Sequence, residues 1–383
     1  MNRRRAVERG AMLGFVGAAA GLAVALSAGV AQANPMDLAP ERLVLPCSAK
    51  TASDGTVIAC GQEIAGKGSN YFHADNAAWA KLLSQYAVAI APVPMHGART
   101  TGYGGFELSL FGNLTTVSSD ADWMKRGTEG ALSGTPPMAK FPKSNESPDP
   151  VLQVYGVVGR KGLPYGFELQ GSIGYVANTE LVVLGGGIRW SLFEGFRKGA
   201  PGAIPDISIG GYVNTLTGTA KVKLTVPSLD VQLSKPFTVA SQVIIQPYIG
   251  WQMLWLLADS AVVDLTPGVD GLNNCYSRPS TPAERAADNG EFRCQQKTGS
   301  TLTDSTDQSA KLDLNNNAVF SNIRFRRQRA MLGVAIRYEV AHLLIHAATD
   351  VIDPVDGVPE KDRARVDGLA RQWTFGAVAG ISW

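Results

Sequence analysis

The sequence lacks any apolar run after residue 33 that is long enough to form a transmembrane helix. Lipid offers no hydrogen-bond partners, so only helices and closed β-barrels can carry a backbone across a membrane. Strands are therefore the only means by which this part of the chain could cross one. A sustained 3.6-residue hydrophobic repeat is also missing after residue 90, which argues against a helical bundle.

A strong charge of either sign is missing as well. The whole chain carries a formal net charge of +2, and residues 1–33 contain four of its arginines and one glutamate, so the remainder is close to neutral. A near-neutral chain has no long-range field to attract nucleic acid. We therefore expect no nucleic-acid partner.

Cysteine is scarce, with four residues in the chain. They form two local pairs, Cys47 with Cys60 and Cys275 with Cys294, and each pair lies in a polar, turn-rich segment. In an exported chain this arrangement predicts two loop-closing disulfides. A zinc site is the alternative, but the cysteines have neither C-x-x-C spacing nor a histidine close by. We predict no metal and no other cofactor.

The N-terminus supplies an export signal. Four arginines between positions 3 and 9 precede an apolar stretch from about Ala11 to Val30, which is followed by Ala31-Gln32-Ala33. A basic start, an apolar middle and small residues at the end are typical of a secretory signal peptide. We predict a signal peptide over residues 1–33 with cleavage near Ala33. An uncleaved membrane helix is the alternative.

Glycine is abundant, with 42 residues, and alternating runs recur along the chain. In the clearest run, at 165–178, the odd-numbered side chains are mostly apolar and the even-numbered ones are mostly polar. Such alternation is typical of a transmembrane strand that faces lipid on one side and a polar lumen on the other. A soluble β-sandwich also alternates, and it is the alternative fold.

Ten such runs lie at 103–117, 151–160, 165–178, 181–193, 206–219, 222–234, 242–258, 325–339, 342–351 and 371–383. We predict an all-β fold, a transmembrane antiparallel up-and-down β-barrel of about ten strands over residues 102–383, with eight or twelve strands also possible. The long connections lie at 118–150, 259–324 and 352–370. Membrane barrels place short turns in the periplasm and long loops outside. An even strand number then predicts both termini on the periplasmic side.

The spacing of aromatic residues tests the membrane interpretation. Tyr165 and Tyr175 are ten residues apart, and so are Trp373 and Trp383. At about 3.4 Å per residue and a tilt near 40°, ten residues rise roughly 26 Å, close to the apolar band between the aromatic girdles of a membrane barrel. The predicted membrane anchors are Tyr165, Tyr175, Trp190, Trp251, Trp255, Trp373 and Trp383.

The last predicted strand ends in Trp373-Thr374-Phe375-Gly376-Ala377-Val378-Ala379-Gly380-Ile381-Ser382-Trp383. This run resembles the C-terminal signature of Gram-negative outer-membrane β-barrel proteins, an aromatic final residue preceded by alternating hydrophobic residues. Tryptophan stands where phenylalanine is commoner. The resemblance implies an outer-membrane location and recognition by the barrel assembly machinery. It identifies a class of proteins and no individual family.

Residues 34–101 have a different pattern and are predicted to form an N-terminal periplasmic or plug segment. Within it, 75–87 predicts a short helix, because Asp75 or Asn76 can cap its start. The apolar side chains that share one side of this helix are Trp79, Leu82, Leu83 and Tyr86. We expect the helix either to plug the lumen or to rest on the periplasmic rim of the barrel.

Polar residues collect on the predicted inward faces of the strands. They are Glu107, Glu168, Gln170, Arg189, Asn214, Gln252, Arg337, Glu339, His342, His346 and Asp350. Charges inside a small barrel usually pair with one another, which predicts an ion-pair network. A solute path is the alternative, because ionisable groups within a membrane often mark pathways. Successive members of the set His342, His346 and Asp350 lie about 13 Å apart along one strand, too far to share a metal ion.

Arg324 and Arg326 fall on the lipid-facing side of a predicted strand where it meets the outer loop. Guanidinium groups suit phosphate, so one hypothesis is that they bind lipopolysaccharide among the outer-membrane lipids. The alternative is a solvated charge run.

These features predict an integral outer-membrane protein that acts as a narrow channel or transporter for a small solute. The first alternative is a structural or surface-interaction barrel with a closed lumen, which works through the long connection at 259–324. The second is a lipid-modifying enzyme. No motif for such an enzyme is visible in the sequence, so we predict no catalytic residue.

Overall fold

The computed structural model describes residues 34–46, 72–93, 95–130, 145–193, 204–239, 242–264 and 317–383, with short strands at 50–51, 57–58, 275–276, 293–298 and 301–305. Only the backbone is described for residues 44–46, 72–73, 264 and 317–318 and for the short strands. The predicted signal peptide, Cys47 and Cys60 lie outside the described residues. The side chains of Cys275 and Cys294 do so as well, although their backbones lie directly opposite one another in a strand pair.

Ten long strands form an antiparallel sheet that closes on itself. They are β1 (Phe106–Thr116), β2 (Val151–Gly162), β3 (Phe167–Val176), β4 (Val182–Ser191), β5 (Asp206–Thr217), β6 (Val222–Ser234), β7 (Val243–Ser260), β8 (Ile323–Tyr338), β9 (Ala341–Asp350) and β10 (Trp373–Ser382). Each strand pairs with the next along the chain, and β10 pairs with β1 to close the wall. The prediction of an all-β, antiparallel up-and-down barrel of about ten strands is confirmed.

The remaining elements are short. Among the described residues, the helices are α1 (Asn76–Ile90) and α2 (Asp122–Gly127), with 3₁₀ turns at Pro40–Arg42, Pro164–Gly166 and Glu360–Arg365. The short strand pairs are Val44–Pro46 with Phe72–Ala74, Lys50–Thr51 with Val57–Ile58, and Val263–Asp264 with Asn317–Ala318. Strands Cys275–Tyr276, Arg293–Thr298 and Thr301–Ser305 form a small sheet, and Phe237–Val239 pairs with β7. In the described part of the chain, no helix is long and apolar enough to span a membrane.

The connections distinguish the two ends of the barrel. The end that we call the turn end carries Trp383 and the connections 163–166, 192–205, 235–242 and 339–340. The opposite end, the loop end, carries the connections 117–150, 177–181, 218–221, 261–322 and 351–372. The three longest connections therefore leave from the same end of the barrel.

The outer face of the wall is apolar. Successive side chains of a strand point to opposite faces, so a sequence that alternates apolar and polar residues places the apolar ones on one side. In β3, Leu169 and Ile173 are exposed on the outer face, whereas Glu168 is buried on the inner face. Every one of the ten strands exposes at least one large apolar side chain in this way. Soluble monomers rarely expose a continuous apolar surface of this extent.

Aromatic side chains lie at two levels of the outer face. Near the turn end, Phe167 stacks on Trp190 with 5.7 Å between ring centroids. Near the loop end, Trp373 stacks on Phe375 at 6.0 Å. Of the other predicted anchors, Tyr165 and Trp383 are exposed at the turn end, Tyr175 is exposed near the loop end, and Trp251 and Trp255 are half-buried on β7.

Helix α1 lies inside the barrel. Asp75 caps its N-terminus by accepting a hydrogen bond from the backbone N–H of Ala78 at 2.9 Å. Twelve of its 15 residues are buried, and Trp79 stacks on Phe320 with 4.7 Å between ring centroids. A helix buried to this extent needs a core around it, which the loop-end connections supply for its N-terminal half and the wall supplies for its C-terminal end. The helix therefore fills the lumen and does not rest on a rim.

The inner face of the wall changes character along the barrel. In the half nearest the loop end it is apolar and packs around α1, with Leu152, Val154, Val176, Val183, Leu216, Leu224, Val226, Leu254, Leu256 and Phe325. In the half nearest the turn end it is polar, with Glu107, Arg160, Glu168, Arg189, Ser208, Tyr212, Asp230, Gln232 and Gln252. The irregular segment 91–105 enters this polar half, where its backbone groups need hydrogen-bond partners.

The two ends of the described chain lie at opposite ends of the barrel, which corrects the prediction that both termini share one side. At the turn end, Phe106 and Trp383 exchange backbone hydrogen bonds of 2.8 and 2.9 Å. At the loop end, the backbone N–H of Met36 donates to the carbonyl of Asn178 at 3.0 Å. An even strand number fixes only where the wall begins and ends, and the segment before β1 runs back through the lumen.

Candidate functional site

The C-terminal end of α1 is held by donors from three strands of the wall. Asn214 Nδ2 donates to the carbonyl of Ile90 at 2.7 Å. The carbonyl of Pro92 accepts from Gln252 Nε2 at 3.0 Å and from Arg329 Nη2 at 2.6 Å. The last carbonyls of a helix have no partner within the helix, and a cation is favourable near them. The wall therefore supplies partners that the buried helix end cannot obtain from water.

Beyond α1, residues 95–101 form a segment that we call the latch. At its centre His96 lies between Glu168 and Arg189, with Nε2 at 2.6 Å from Glu168 Oε1 and Nδ1 at 2.9 Å from Arg189 Nη1. Arg189 Nη1 is also 3.0 Å from Nε2. Because Nε2–H is needed to donate to the carboxylate, Nδ1 is the ring nitrogen left to accept from the guanidinium.

The backbone of the latch is tied to the wall at two points after His96. Arg189 Nη1 also donates to the carbonyl of Gly97 at 2.9 Å. Glu168 Oε2 accepts from the backbone N–H of Thr101 at 2.8 Å. Two residues, Glu168 and Arg189, thus hold both the imidazole and the backbone of the latch.

Two further contacts fix the latch at the turn end. The backbone N–H of Ala98 donates to Ser234 Oγ at 2.9 Å. Arg99 Nε donates to Asp206 Oδ2 at 2.8 Å. Asp206 begins β5 and Ser234 ends β6, so both anchors lie where the latch approaches the rim of the wall.

A second group of polar side chains lies beside the latch. Arg160 forms a buried ion pair with Glu107 and donates from Nε to Gln170 Oε1 at 3.1 Å. Glu107 Oε1 also accepts from Ser109 Oγ at 2.9 Å and lies 3.3 Å from His342 Nε2. The charges of Glu107 and Arg160 therefore offset each other within the wall, as buried charges require.

A third group lies closer to the loop end. Arg327 and Asp350 form a buried ion pair, and Asp350 Oδ2 accepts from the backbone N–H of Gln372 at 2.9 Å. Gln372 Nε2 donates to the carbonyl of Thr116 at 3.0 Å. This group joins β8, β9 and, through Gln372, the end of β1, next to α1.

A small cavity of about 130 Å³ remains in the lumen at the turn end. Its polar lining includes His96, Arg99, Thr101, Glu107, Arg337 and His342. The latch closes it from the loop end. In the described part of the chain, no group of three or more histidine, cysteine or acidic side chains is placed to hold a metal ion.

The structure places most of the predicted lumen residues on the inner face. Glu107, Glu168, Gln170, Arg189, Asn214, Gln252, His342, His346 and Asp350 lie there, and Arg337 lines the mouth of the cavity. Glu339 is the exception, because β8 ends at Tyr338 and Glu339 lies exposed in the following turn with φ of +52°. His346 is 3% exposed, and neither of its ring nitrogens has a hydrogen-bond partner within the described residues.

The buried or latch residues that were not among the sequence predictions include His96, Arg160, Asp230, Arg327 and Arg329. The alternation that places Arg337 inward also places Arg327 and Arg329 inward, so that signal was present in the sequence. Arg160 ends the run 151–160, which is mostly apolar on both faces. The alternation therefore does not show which face of the strand Arg160 occupies. His96 lies in an irregular segment where no periodicity applies.

Arg324 and Arg326 lie on the outer face of β8 near the loop end. Arg324 Nη2 is 2.7 Å from Asp259 Oδ1, and Arg326 is exposed. Further along the same face lies an apolar groove of about 510 Å³, lined by Val231, Ile249, Trp251, Ala330, Leu332 and Trp373 among others. Arg326 is opposite Trp255 and Ala330 is opposite Trp251 in the strand register.

Comparison with known proteins assigns no family. No protein-family model matches the chain, and no curated protein matches it. One solved structure that matches is Ail, the attachment invasion locus protein of Yersinia pestis, in complex with the heparin analogue sucrose octasulfate. The match covers 73% of this chain and 99% of Ail, with 8% sequence identity and a TM-score of 0.23. A similarity at this level carries no argument about function.

Proposed function

We propose that the protein is an integral outer-membrane β-barrel with a closed lumen, which acts by presenting the surface at its loop end to partners outside the cell. The observation that carries this proposal is that the chain itself fills the lumen. Helix α1 occupies the apolar half and the latch crosses the polar half, where Glu168 and Arg189 bind it. In an open channel, Glu168 and Arg189 would line a water-filled path. Here they bind the latch instead.

The membrane location is supported by the outer face of the barrel. Apolar side chains on every strand lie between two levels of aromatic residues, the arrangement of an outer-membrane barrel. The turn end belongs on the periplasmic side because it carries the C-terminus and lacks the three longest connections. The loop end then faces outward.

The proposal includes two partners in the membrane. One is the barrel assembly machinery, which would recognise the C-terminal run that ends at Trp383. The other is lipopolysaccharide, whose phosphate would bind the exposed guanidinium of Arg326. Arg326 and Ala330, which lines the apolar groove, are four positions apart in β8, about 13 Å along the strand. That separation fits a lipid whose headgroup binds the arginine while an acyl chain occupies the groove.

A channel is the second candidate, and the cavity at the turn end favours it. It would require the latch to leave Glu168 and Arg189 and α1 to move. A catalytic role is not part of either proposal.

Conductance of the folded protein in a planar bilayer tests the closed lumen. We expect no single-channel openings from the protein that starts at Asn34, and regular openings from a variant that lacks residues 34–101. A second variant, Glu168→Gln with Asp206→Asn, weakens the latch without deleting chain and should give brief openings. Glu360→Gln, at the exposed loop end, is the matched control and should stay silent.

Stable openings of the unaltered protein would contradict the proposal. So would silence of the deletion variant in a preparation whose heat-modifiable migration shows a folded barrel, because the chain would then not be what closes the lumen.

A further inference from the structure

The segments on either side of α1 lie at opposite ends of the barrel. Before the helix, the backbone N–H of Glu180 donates to Asp37 Oδ1 at 2.8 Å, and Lys221 Nζ is 2.9 Å from Glu41 Oε1. Both contacts lie at the loop end. After the helix, Gly105 accepts from the backbone N–H of Gly162 at 2.9 Å, which lies at the turn end. Gln372, just before β10, donates to the carbonyl of Gln85, and Asn214 donates to that of Ile90, so α1 enters the wall from the loop end and residues 91–105 cover the remaining distance to the turn end.

The path between these two ends runs only through the lumen. Strand pairs are continuous around the wall, including β6 with β7 and β10 with β1. The lumen is packed around α1, so the preceding segment cannot slide through a finished barrel. The wall must close around a chain that already extends to the loop end.

We infer that the chain before α1, here called the exported segment and described at residues 34–46 and 72–75, crosses the membrane through the protein's own barrel and is displayed on the cell surface. The inference rests on the proposed function, which orients the loop end outward. Strand β1 begins at the turn end, which the proposed function places on the periplasmic side. The part of the chain that forms the wall therefore enters the membrane from the periplasm. The exported segment is then the part of the chain that is carried across.

Contacts at the loop end show that the exported segment is docked there. Arg42 Nη1 donates to the carbonyls of Thr128 and Glu129 at 3.0 and 2.9 Å. The hydroxyl of Tyr86 on α1 donates to the carbonyl of Met36 at 2.5 Å. These bonds join the exported segment to the 117–150 connection and to the helix below it. The exported segment therefore forms part of the surface that the loop end presents.

Labelling intact cells with a membrane-impermeant amine reagent tests the inference on the unaltered protein. Lys50 and Lys67 report on the exported segment, Lys361 reports on the loop end, and Lys235 reports on the turn end. We expect labelling of Lys361 and of Lys50 or Lys67 in intact cells, at more than half the level seen after lysis. We expect labelling of Lys235 only after lysis. Peptide mass spectrometry measures each site.

An epitope inserted between Asn34 and Pro35 gives an independent measurement, which decides the matter if Lys50 and Lys67 react in neither condition. Antibody binding to intact cells is the expected result. If Lys361 is labelled in intact cells but the epitope and the two lysines react only after lysis, the inference is wrong and the closed-lumen function stands. If Lys235 is labelled in intact cells and Lys361 is not, the orientation is inverted and both proposals fail.

Discussion

At the residue scale, His96 shows how a buried imidazole can tie an irregular segment to a strand. Its two ring nitrogens are engaged by groups of opposite charge, Glu168 as acceptor and Arg189 as donor. A proton added at Nδ1 would remove the acceptor that Arg189 uses and place two cations side by side. The neutral ring is therefore the form that the latch is built around.

This arrangement predicts that acid loosens the latch. Protonation of His96 next to the Arg189 guanidinium costs more in the folded protein than in the unfolded chain, where the two groups are apart. The contribution of His96 to stability is then complete above pH 6.5 and falls as the pH drops below it. Hydrogen exchange of residues 95–101, corrected for intrinsic rates, should be faster at pH 5 than at pH 7.

The variant His96→Gln is the control for this effect, because glutamine does not titrate. It should make latch exchange independent of pH over this interval. Equal exchange of the unaltered protein at both pH values would contradict the assignment.

The outer arginines carry a prediction about lipid. A charge-assisted hydrogen bond is worth about 1.5–3 kcal/mol, so removing the guanidinium should weaken binding of a phosphorylated lipid about tenfold or more. We expect this loss for Arg326→Gln in native mass spectrometry with lipid A. Arg363→Gln, an exposed arginine of the 351–372 connection, should leave the affinity unchanged. Equal affinities of the two variants would remove the lipid site.

At the element scale, α1 replaces the solvent or solute that an open barrel would contain. The sequence predicts this helix at 75–87, and the structure has it at 76–90. An apolar stripe on one side of a helix indicates that it lies against a surface. In α1, however, alanines occupy much of the opposite side, and they are small enough to be buried as well. Periodicity alone does not distinguish a helix on a rim from a helix in a narrow lumen.

Packing of α1 against the loop-end connections predicts a large effect of truncating Trp79. This side chain is fully buried and stacked on Phe320, and removing such a ring costs about 3–5 kcal/mol. Trp79→Ala should lower the free energy of unfolding by this amount in denaturant titrations of the detergent-refolded protein. Lys81→Ala, on the same helix but partly exposed, should change it by less than about 0.5 kcal/mol. Similar values for both variants would place α1 outside the core.

The small sheet in the 261–322 connection bears on the predicted disulfide, because it sets the backbones of Cys275 and Cys294 opposite one another. The disulfide itself stays a prediction. Thiol titration of the denatured, unreduced protein should find no free thiol, whereas Cys275→Ser should expose one. Two free thiols that map to Cys275 and Cys294 in the unaltered protein would contradict the pairing.

At the scale of the whole molecule, alternation and turn spacing were sufficient to predict the wall. Each wall residue has only two possible faces, so the pattern of β8 carries enough information to orient Arg327 as well as Arg337. The path of the irregular segment 91–105 was less predictable. Its residues follow no repeat, and their contacts join His96 to strands that are distant in sequence. The sidedness of the N-terminal segment depends on this path and not on the strand count.

The closing strand gives a prediction for the whole barrel. Trp383 packs on Phe106 with 4.8 Å between ring centroids, and the two backbones pair. Deleting Trp383 removes this contact and the terminal aromatic residue, so we expect a lower outer-membrane yield and less heat-modifiable protein on gels. A deletion variant with normal yield and migration would contradict the role of Trp383 in assembly.

The apolar half of the lumen also gives the protein a distinctive response to temperature. Unfolding in detergent leaves the outer face of the wall among alkyl chains, so the water-exposed surface that raises the heat capacity comes from α1 and the side chains around it. Attraction between apolar groups weakens on cooling. The packing of α1 in the lumen, unlike the hydrogen-bonded wall, should therefore loosen in the cold as well as in the heat.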